Sequence, residues 1–242
     1  MQESRIYKIG DISVRMNCRT PFLLRQCEPY EIEKDVEETT AEINLSYTGK
    51  IREKYREIMG SEAMFEYNYT FGSYAREIIN YGGFCFHASA LSVDGEGILF
   101  SADSGTGKST HAGLWEQHLE GHEILRLNDD KPVIRMIQSR PVVYGSPWAG
   151  KHSIHRNASA PVKALVFLEQ AAENSIERIS AKQAFSLVFP QVLGGKSSQE
   201  QVVKLMGLLD QFIRAVPIYR LKCTISKEAV WLVYRYIWED RK

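Results

Sequence analysis

Apolar and polar residues alternate in two ways along the first third of the chain. A period of two over residues 5–16 and 30–47 predicts β-strands, although acidic residues interrupt the second stretch. Apolar residues recur at helical spacing over residues 51–59 and 74–79, which predicts two helices. We therefore expect residues 1–80 to form a small mixed accessory region, in which no group of side chains indicates a particular chemistry.

The rest of the chain, residues 81–242, alternates between predicted strands and predicted helices. The predicted strands are residues 84–93, 97–101, 123–128, 162–168 and 218–223. The predicted helices are residues 108–120, one opened by the Ser-Ala-Lys-Gln capping box at 180–183, 201–215 and one capped by Ser226. Alternation of this kind is typical of the α/β class.

A predicted hairpin constrains the sheet of this second part. The turn sequence Asp-Gly-Glu-Gly at residues 94–97 joins the first two predicted strands. The strand at 97–101 must therefore have an antiparallel neighbour, so we expect a mixed sheet. This argues against Ras-like and RecA-like architectures, whose corresponding strand has parallel neighbours.

A glycine-containing segment follows that strand and precedes the predicted helix 108–120. It reads Ala-Asp-Ser-Gly-Thr-Gly-Lys-Ser over residues 102–109 and fits the Walker A pattern, with Ala102 in place of the usual first glycine. The two glycines allow backbone N–H groups to face an anion, and the helix directs its N-terminus at the same point. A chance glycine-rich turn is the alternative, but the flanking strand and helix favour a phosphate-binding loop.

Each residue type in the loop has a chemical use. The Lys108 amine can reach the β- and γ-phosphates of a nucleotide, and the Ser109 hydroxyl can bind Mg²⁺. The predicted nucleotide contacts of this segment are Asp103, Ser104, Gly105, Thr106, Gly107, Lys108, Ser109 and Thr110.

Two carboxylates follow the predicted strand 123–128, where a Walker B strand would end. One of Asp129 and Asp130 can hold Mg²⁺ while the other serves as general base for an incoming hydroxyl. Both are candidate catalytic residues, and Ser109 and Asp129 are the candidate metal ligands. The competing interpretation is a solvated Asp-Asp-Lys-Pro turn.

The register of the predicted hairpin also predicts the position of His87. If residues 94–97 form the turn, Val93 pairs with Ile98 and His87 lies opposite Ser104, beside the phosphate loop. An imidazole there can bind a phosphate oxygen or exchange a proton with the acceptor. The alternative is a core histidine with a satisfied hydrogen bond.

Residues 141–160 form a long, turn-rich and basic stretch. Lys151, His152, His155 and Arg156 concentrate positive charge there, as expected of a lid that closes over phosphates or presents the acceptor. Lys151 is therefore a further candidate cofactor contact. A solvated loop is the alternative, and the spacing of the histidines does not favour a zinc site.

Composition excludes several classes of function. Thirty Lys and Arg balance thirty Asp and Glu, so no overall field attracts nucleic acid or an anionic membrane. No apolar run approaches the ~18 residues of a membrane span, no signal peptide is predicted, and the four cysteines lack zinc or disulfide-scaffold spacing. We expect a cytoplasmic protein without nucleic-acid or membrane partners.

His87, the hairpin, the loop at 102–109 and the pair Asp129-Asp130 together resemble the HPr kinase/phosphorylase family, which shares a P-loop fold with the nucleotide-dependent phosphoenolpyruvate carboxykinases. The resemblance is close over residues 84–130, weaker up to about residue 230, and absent before residue 81. It implies that Lys108 binds phosphate, that Ser109 binds Mg²⁺ and that His87 lies near the transferred phosphate. It also implies that the aspartate pair supplies a metal contact and the acceptor base, and that the protein forms a ring-like homo-oligomer.

The chain departs from the family pattern in three respects. It is a few residues longer between Lys108 and Asp129, it has Thr110 where bacterial members tend to have an acid, and it lacks a clear match to their C-terminal partner-binding segment. These departures argue against HPr itself as substrate and against the reverse phosphorylase activity.

The sequence therefore predicts an α/β protein, with a mixed-sheet P-loop domain of the HPr kinase/phosphoenolpyruvate carboxykinase type at residues 81–242. The expected function is Mg²⁺-dependent transfer of the γ-phosphoryl group of ATP to a hydroxyl, with serine of a protein or peptide as the acceptor. The alternatives are a kinase of small hydroxyl compounds, a carboxykinase-like enzyme, and a nucleotide-binding regulator without catalysis. The sequence contains no Asn-Lys-x-Asp motif, with which GTPases recognise their base, and this argues against a GTPase.

Overall fold

The structure is a computed structural model that describes residues 4–32, 41–47, 53, 59–103, 105–194 and 198–239. Its strands are β1 Arg5–Ile9, β2 Ile12–Met16, β3 Ile43–Asn44, β4 Gly83–Phe86, β5 Ser89–Val93, β6 Glu96–Ser101, β7 Ile124–Asn128, β8 Val133–Ile137, β9 Arg140–Tyr144, β10 Ser159–Gln170, β11 Ser175–Arg178, β12 Val192–Leu193 and β13 Ile218–Cys223. Its α-helices are α1 Pro21–Cys27, α2 Glu62–Glu77, α3 Lys108–His118, α4 Ala181–Val188, α5 Gln199–Ala215 and α6 Lys227–Tyr234. None of the helices in these ranges has the length and apolar character needed to cross a membrane.

The strands form a small sheet and a large one. The small sheet has the order β1-β2-β3, and the large ten-stranded sheet runs β12-β4-β8-β9-β10-β6-β5-β7, with β13 beside β10 and β11 beside β13. Strand β10 joins the two halves of the large sheet, because it pairs antiparallel with β9 at its start and parallel with β6 and β13 further on. Strand β6 has the parallel neighbour β10 and the antiparallel neighbour β5. The predicted α/β class and mixed sheet are therefore confirmed.

Strand β6 is buried on both faces. Ile98 and Phe100 face a hydrophobic cluster that includes Trp115 of α3 and Val230 of α6. Leu99 faces the opposite cluster, which includes Phe212 of α5. Helices on both faces explain why this strand has a continuous apolar run and holds the following loop in place.

The hairpin turn is tighter than predicted. Val93 pairs with Glu96, and the two turn residues Asp94 and Gly95 have positive φ angles of 50° and 83°. A two-residue turn with positive φ angles matches the twist of the flanking strands. The predicted four-residue turn and the predicted pairing of Val93 with Ile98 are therefore wrong. The register differs by two positions, which keeps the side chains of β5 on their predicted faces. His87 precedes β5 and is not part of this register, and its predicted partner Ser104 lies outside the described residues.

The predicted strand 84–93 is also wrong, since it is two strands that belong to different halves of the large sheet. Strand β4 pairs with β8 and β12, whereas β5 pairs with β6 and β7. At the break, His87 N–H donates to the Gln191 carbonyl at 2.8 Å, and Ala88 N–H donates to the Asp130 carbonyl at 3.3 Å. No glycine or proline between residues 84 and 93 marks this split, although the polar residue His87 stands at the break.

The first 80 residues agree with their predicted pattern in part. Residues 5–16 form β1 and β2, and α2 with the following 3₁₀ turn covers residues 74–79. Of the predicted stretch 30–47, residues 33–40 lie outside the described residues, and most of the predicted helix 51–59 does too. One hydrophobic cluster joins Tyr7 and Tyr74 to Val133 and Trp148, so its packing crosses the predicted domain boundary at residue 80.

The segment between β9 and β10 is attached to the end of β7. Gly145 N–H donates to the Ala158 carbonyl at 3.0 Å, and Arg156 N–H donates to the Leu127 carbonyl at 2.9 Å. Asn128 and His155 form an isolated antiparallel bridge. These bonds place the segment directly beside Asp129.

We expect Gly145→Ala to lower the free energy of unfolding by about 3 kcal/mol, because the close approach leaves no room for a methyl group. A Cβ at this position would overlap the carbonyl oxygen of Arg156 and approach that of Leu127 within 2.7 Å. The matched control is Gly207→Ala on α5, where an added Cβ meets no atom within 4 Å and should stabilise the protein by up to about 1 kcal/mol. Urea denaturation measures both values, and equal effects of the two substitutions would contradict the packing.

Candidate functional site

The loop after β6 needs glycine for its backbone conformation. Gly105 and Gly107 have φ angles of 85° and 108°, and a Cβ added to either would meet no atom within 4 Å. Space is therefore open around both, and it is the positive φ that disfavours other residues. Thr106 N–H donates to the Asp103 carbonyl at 3.2 Å and closes the loop.

Helix α3 differs from the other described α-helices at its first turn. Its N-cap is Gly107, which has no side chain, and among the described residues no side chain caps its first N–H groups. The other five are capped by a hydroxyl that accepts such a bond, from Thr20, Ser61, Ser180, Ser198 and Ser226. A helix N-terminus whose N–H groups lack a side-chain cap is a favourable place for an anion.

Lys108, the first residue of α3, is almost fully buried at 8 % exposure. Its Nζ donates to the carbonyls of Ala102 at 3.0 Å and Asp103 at 3.4 Å. Burial lowers the pKa of Lys108, and the negative charges of Asp130, Asp103 and Asp129 partly oppose that shift. The amine therefore lies within electrostatic range of the predicted carboxylate pair.

The other predicted nucleotide contacts surround Lys108. Asp103, Gly105 and Thr110 are exposed, and Thr106, Gly107 and Ser109 are half-buried. Ser104 lies outside the described residues. The contact of each with a nucleotide stays a prediction.

Asp129 is buried and held by two donors. The Ser89 hydroxyl donates to Oδ1 at 2.9 Å, and Arg126 Nη1 donates to the same oxygen at 3.3 Å. Arg126 also pairs with Glu116 of α3, so its buried positive charge is balanced on both sides. Neither bond to Asp129 uses Oδ2.

Asp130 and His87 face each other across the break between β4 and β5. His87 Nε2 lies 3.5 Å from Asp130 Oδ1, and His87 Nδ1 lies 3.0 Å from Gln191 Oε1. Burial and the positive charge of Lys108 lower the pKa of His87. Because the amide oxygen of Gln191 accepts, Nδ1 carries the proton of the neutral ring, and Nε2 and the carboxylate present two acceptors to one approaching proton.

Asn128 fixes the turn that presents both carboxylates. Its Oδ1 accepts from the N–H groups of Asp130 at 2.9 Å and Lys131 at 2.6 Å, and its Nδ2 donates to the Ser146 carbonyl at 2.9 Å. Its Nδ2 also donates to the Ser146 hydroxyl at 3.2 Å. The residue is fully buried, so these four polar contacts make the turn rigid. Asn128 is not among the residues predicted for the site, although an asparagine at the end of a predicted strand and directly before two acids is a signal that the sequence contains.

The basic segment packs against the site through its apolar residues. Trp148 is fully buried, and its Nε1 donates to Thr70 Oγ1 of α2 at 3.2 Å. A Cβ on Gly150 would lie 2.9 Å from the Asp130 Cβ, so the segment touches the second aspartate. Lys151 follows with an exposed side chain, and its contact with a nucleotide and the role of the segment as a lid stay predictions.

A cavity of about 270 Å³ lies on the other side of the loop. It is lined by Thr106, Gly107 and His111 on one side, and by Ala171 and Thr224 beyond the ends of β10 and β13 on the other. His111 Nε2 accepts from Trp115 Nε1 at 3.2 Å, so the proton of its neutral ring is on Nδ1. Burial lowers the pKa of His111 to about 4.

Among the described residues, no group of three or more His, Cys, Asp or Glu side chains is arranged so that it could hold a metal ion. The predicted ligands Ser109 and Asp129 lie at the start of α3 and the end of β7. Their joint binding of a metal stays a prediction.

No family model and no curated protein matches this sequence. Among solved structures, the chain is similar to the HPr(Ser) kinase/phosphatase from Coxiella burnetii, with 12 % sequence identity and a TM-score of 0.35. The matched region covers 63 % of this chain and 95 % of that one. Such a similarity is weak, so any function has to follow from the geometry of the site.

We expect His111 to make the folded protein sensitive to acid. Its pKa is about 4 in the folded protein and 6.5 in the unfolded one, so its contribution to stability is complete above pH 6.5 and is lost as the pH falls towards 4. Between pH 7 and pH 4.5 the wild type should lose about 2 kcal/mol more than His111→Gln, whose amide oxygen can still accept from Trp115. Urea denaturation at the two pH values measures this difference, and parallel losses would contradict it.

Proposed function

We propose that this protein is a Mg²⁺-dependent phosphotransferase that moves the γ-phosphoryl group of ATP to a hydroxyl group, that of serine in a protein or peptide. The observation that carries the proposal is the first turn of α3. It has no side-chain cap, it begins at a buried lysine, and it lies within electrostatic range of Asp129 and Asp130. An anion with several oxygens satisfies both the N–H groups and the amine.

The loop supports binding of a triphosphate. Open space around Gly105 and Gly107 allows phosphate oxygens to approach the backbone closely. The Lys108 amine contacts the carbonyls of Ala102 and Asp103. In the proposed complex it turns towards the β- and γ-phosphates. In this proposal the N–H groups of the described part of the loop bind the remaining phosphate oxygens.

The residues present fit Mg²⁺ bound together with the nucleotide. Mg²⁺ is usually held by one or two carboxylates together with substrate phosphates and water, and Ser109 and Asp129 offer one hydroxyl and one carboxylate. When bound, the ion would neutralise charge on the β- and γ-phosphates.

The two aspartates differ in solvent exposure, and we assign them different roles on that ground. The side chain of Asp129 is 3 % exposed and that of Asp130 is 23 % exposed, so an acceptor arriving from solvent meets Asp130. In the proposed reaction the acceptor oxygen bonds to the γ-phosphorus, the bond to the β–γ bridging oxygen breaks, and ADP leaves. Asp130, assisted by His87, takes the acceptor's proton.

The cavity beside the loop supports a purine base in the nucleotide. Its volume of about 270 Å³ is just below that of pockets for whole drug-sized ligands, about 300–1,000 Å³, and so suits part of a ligand. His111 Nδ1–H offers a donor. Gln170 Nε2 donates to the Thr106 carbonyl at 3.2 Å, which leaves Gln170 Oε1 as an acceptor.

We expect Lys108→Ala to abolish nucleotide-dependent turnover, with a loss of at least about 100-fold, because it removes the charge that contacts the phosphates. Asp130→Asn should retain ATP binding and lose phosphoryl transfer. Transfer of radiolabel from [γ-³²P]ATP into a cell extract, together with ADP release, measures the turnover of both variants. Isothermal titration calorimetry measures ATP binding by Asp130→Asn.

Unchanged turnover in Lys108→Ala would refute the assignment of the loop. Binding of ATP without transfer or hydrolysis in the wild type would instead favour the nucleotide-binding regulator.

We expect Ala171→Phe to weaken ATP binding about tenfold or more, because the ring fills the cavity that receives the base. Binding of inorganic tripolyphosphate should be unchanged, since it needs only the loop. The control is Ala172→Phe, at the exposed position next along the chain, which does not line the cavity. Isothermal titration calorimetry gives the affinities, and an equal effect on both ligands would place the base elsewhere.

A further inference from the structure

Helix α2 connects the N-terminal region to the carboxylate end of the site. Its Tyr67 is 8 % exposed, and the hydroxyl accepts from two donors: Lys131 Nζ at 3.4 Å and Gly150 N–H at 3.3 Å. Lys131 follows Asp130 directly in sequence, and Gly150 lies against Asp130 in space. One hydroxyl therefore holds both segments that flank the second aspartate.

Lys131 is enclosed by aromatic rings of the same helix. Its Nζ lies 5.2 Å from the ring centroid of Tyr67 and 5.4 Å from that of Phe71. The two residues are four positions apart and share a face of α2. Because a lysine side chain has four rotatable bonds, the rings select one of many positions for the ammonium.

The ammonium is in turn paired with Asp130. Lys131 Nζ bonds to Oδ2 of Asp130, while Oδ1 of the same carboxylate faces His87 Nε2 at 3.5 Å. The ion pair fixes the rotation of the carboxylate, and with it the oxygen that is turned towards the histidine. A shift in Lys131 would therefore rotate the Asp130 carboxylate, and Oδ1 would no longer face the proton that it accepts in the proposed reaction.

We propose that Tyr67 and Phe71 are positioning residues of the phosphotransfer site, which act through Lys131 on Asp130. The N-terminal region is then a working part of the site. This inference rests on the proposed function, since it concerns the orientation of the general base. It adds two residues from a region in which the sequence shows no chemical motif.

The test uses Mg²⁺ and ATP as the probe, with water as the acceptor, so that no protein substrate has to be known. Tyr67→Phe keeps the ring and removes the oxygen that both donors use. We expect kcat for ATP hydrolysis to fall about tenfold, with the KM for ATP and the melting temperature close to those of the wild type. The control is Tyr69→Phe on the same helix, whose ring contacts Tyr47 and Phe65 and not Lys131.

A second pair of variants separates positioning from stability. Lys131→Met removes the charge that holds Asp130 and should lower kcat at least as much as Tyr67→Phe. Lys131→Arg keeps a cation that can stack on both rings and pair with the carboxylate, so it should restore most of the turnover.

The outcomes distinguish this inference from the proposed function. If Tyr67→Phe and Lys131→Met keep kcat within twofold of the wild type while Asp130→Asn loses it, the positioning role is wrong and the phosphotransferase stands. A loss in Tyr67→Phe that follows a lower melting temperature, or that Tyr69→Phe reproduces, would likewise overturn the inference. If the wild type hydrolyses no more ATP than Lys108→Ala does, both proposals fail together.

Discussion

Lys108 carries a positive charge at a place that water scarcely reaches, and the groups around that charge organise the rest of the site. Burying an ammonium is costly unless carbonyl oxygens or carboxylates surround it. The loop after β6 supplies the carbonyls of Ala102 and Asp103, while the turn after β7 brings Asp129 and Asp130 into electrostatic range. Strand β5 lies between these two strands, so the tight hairpin sets the spacing between the phosphate loop and the carboxylates.

Aromatic packing underneath holds the carboxylate end in place. Trp148 lies 5.0 Å from the ring centroid of Tyr74 and 5.8 Å from that of Phe71, both on α2. This packing fixes the segment between β9 and β10, whose Gly150 contacts Asp130. The site therefore combines a polar edge built by strand ends with an apolar support from the N-terminal region. That combination explains why α2 contacts Lys131, although the resemblance to the HPr kinase/phosphorylase family does not extend to this helix.

Prediction from sequence succeeded where the signal is local. The Walker A pattern, the capping box at Ser180 and the apolar stripe of α5 are each contained within a short stretch, and the structure has the corresponding elements. It failed at the break between β4 and β5, because the bonds that separate them come from Gln191 and Asp130, far along the chain. Strands β8 and β9 were missed, since their residues were assigned to a turn-rich stretch or left unassigned.

By itself, the sequence determined the α/β class, the mixed sheet and the loop with its lysine, because backbone preferences and side-chain periodicity act between near neighbours. Only the tertiary structure decided which groups meet at Asp130. The predicted hairpin already puts His87 beside the phosphate loop, and Lys131 is next to Asp130 in sequence. Gly150 and Tyr67, however, come from distant segments, and nothing in their spacing along the chain encodes their approach. Their meeting follows from how the split sheet and α2 share one apolar cluster, which is a property of packing between distant residues.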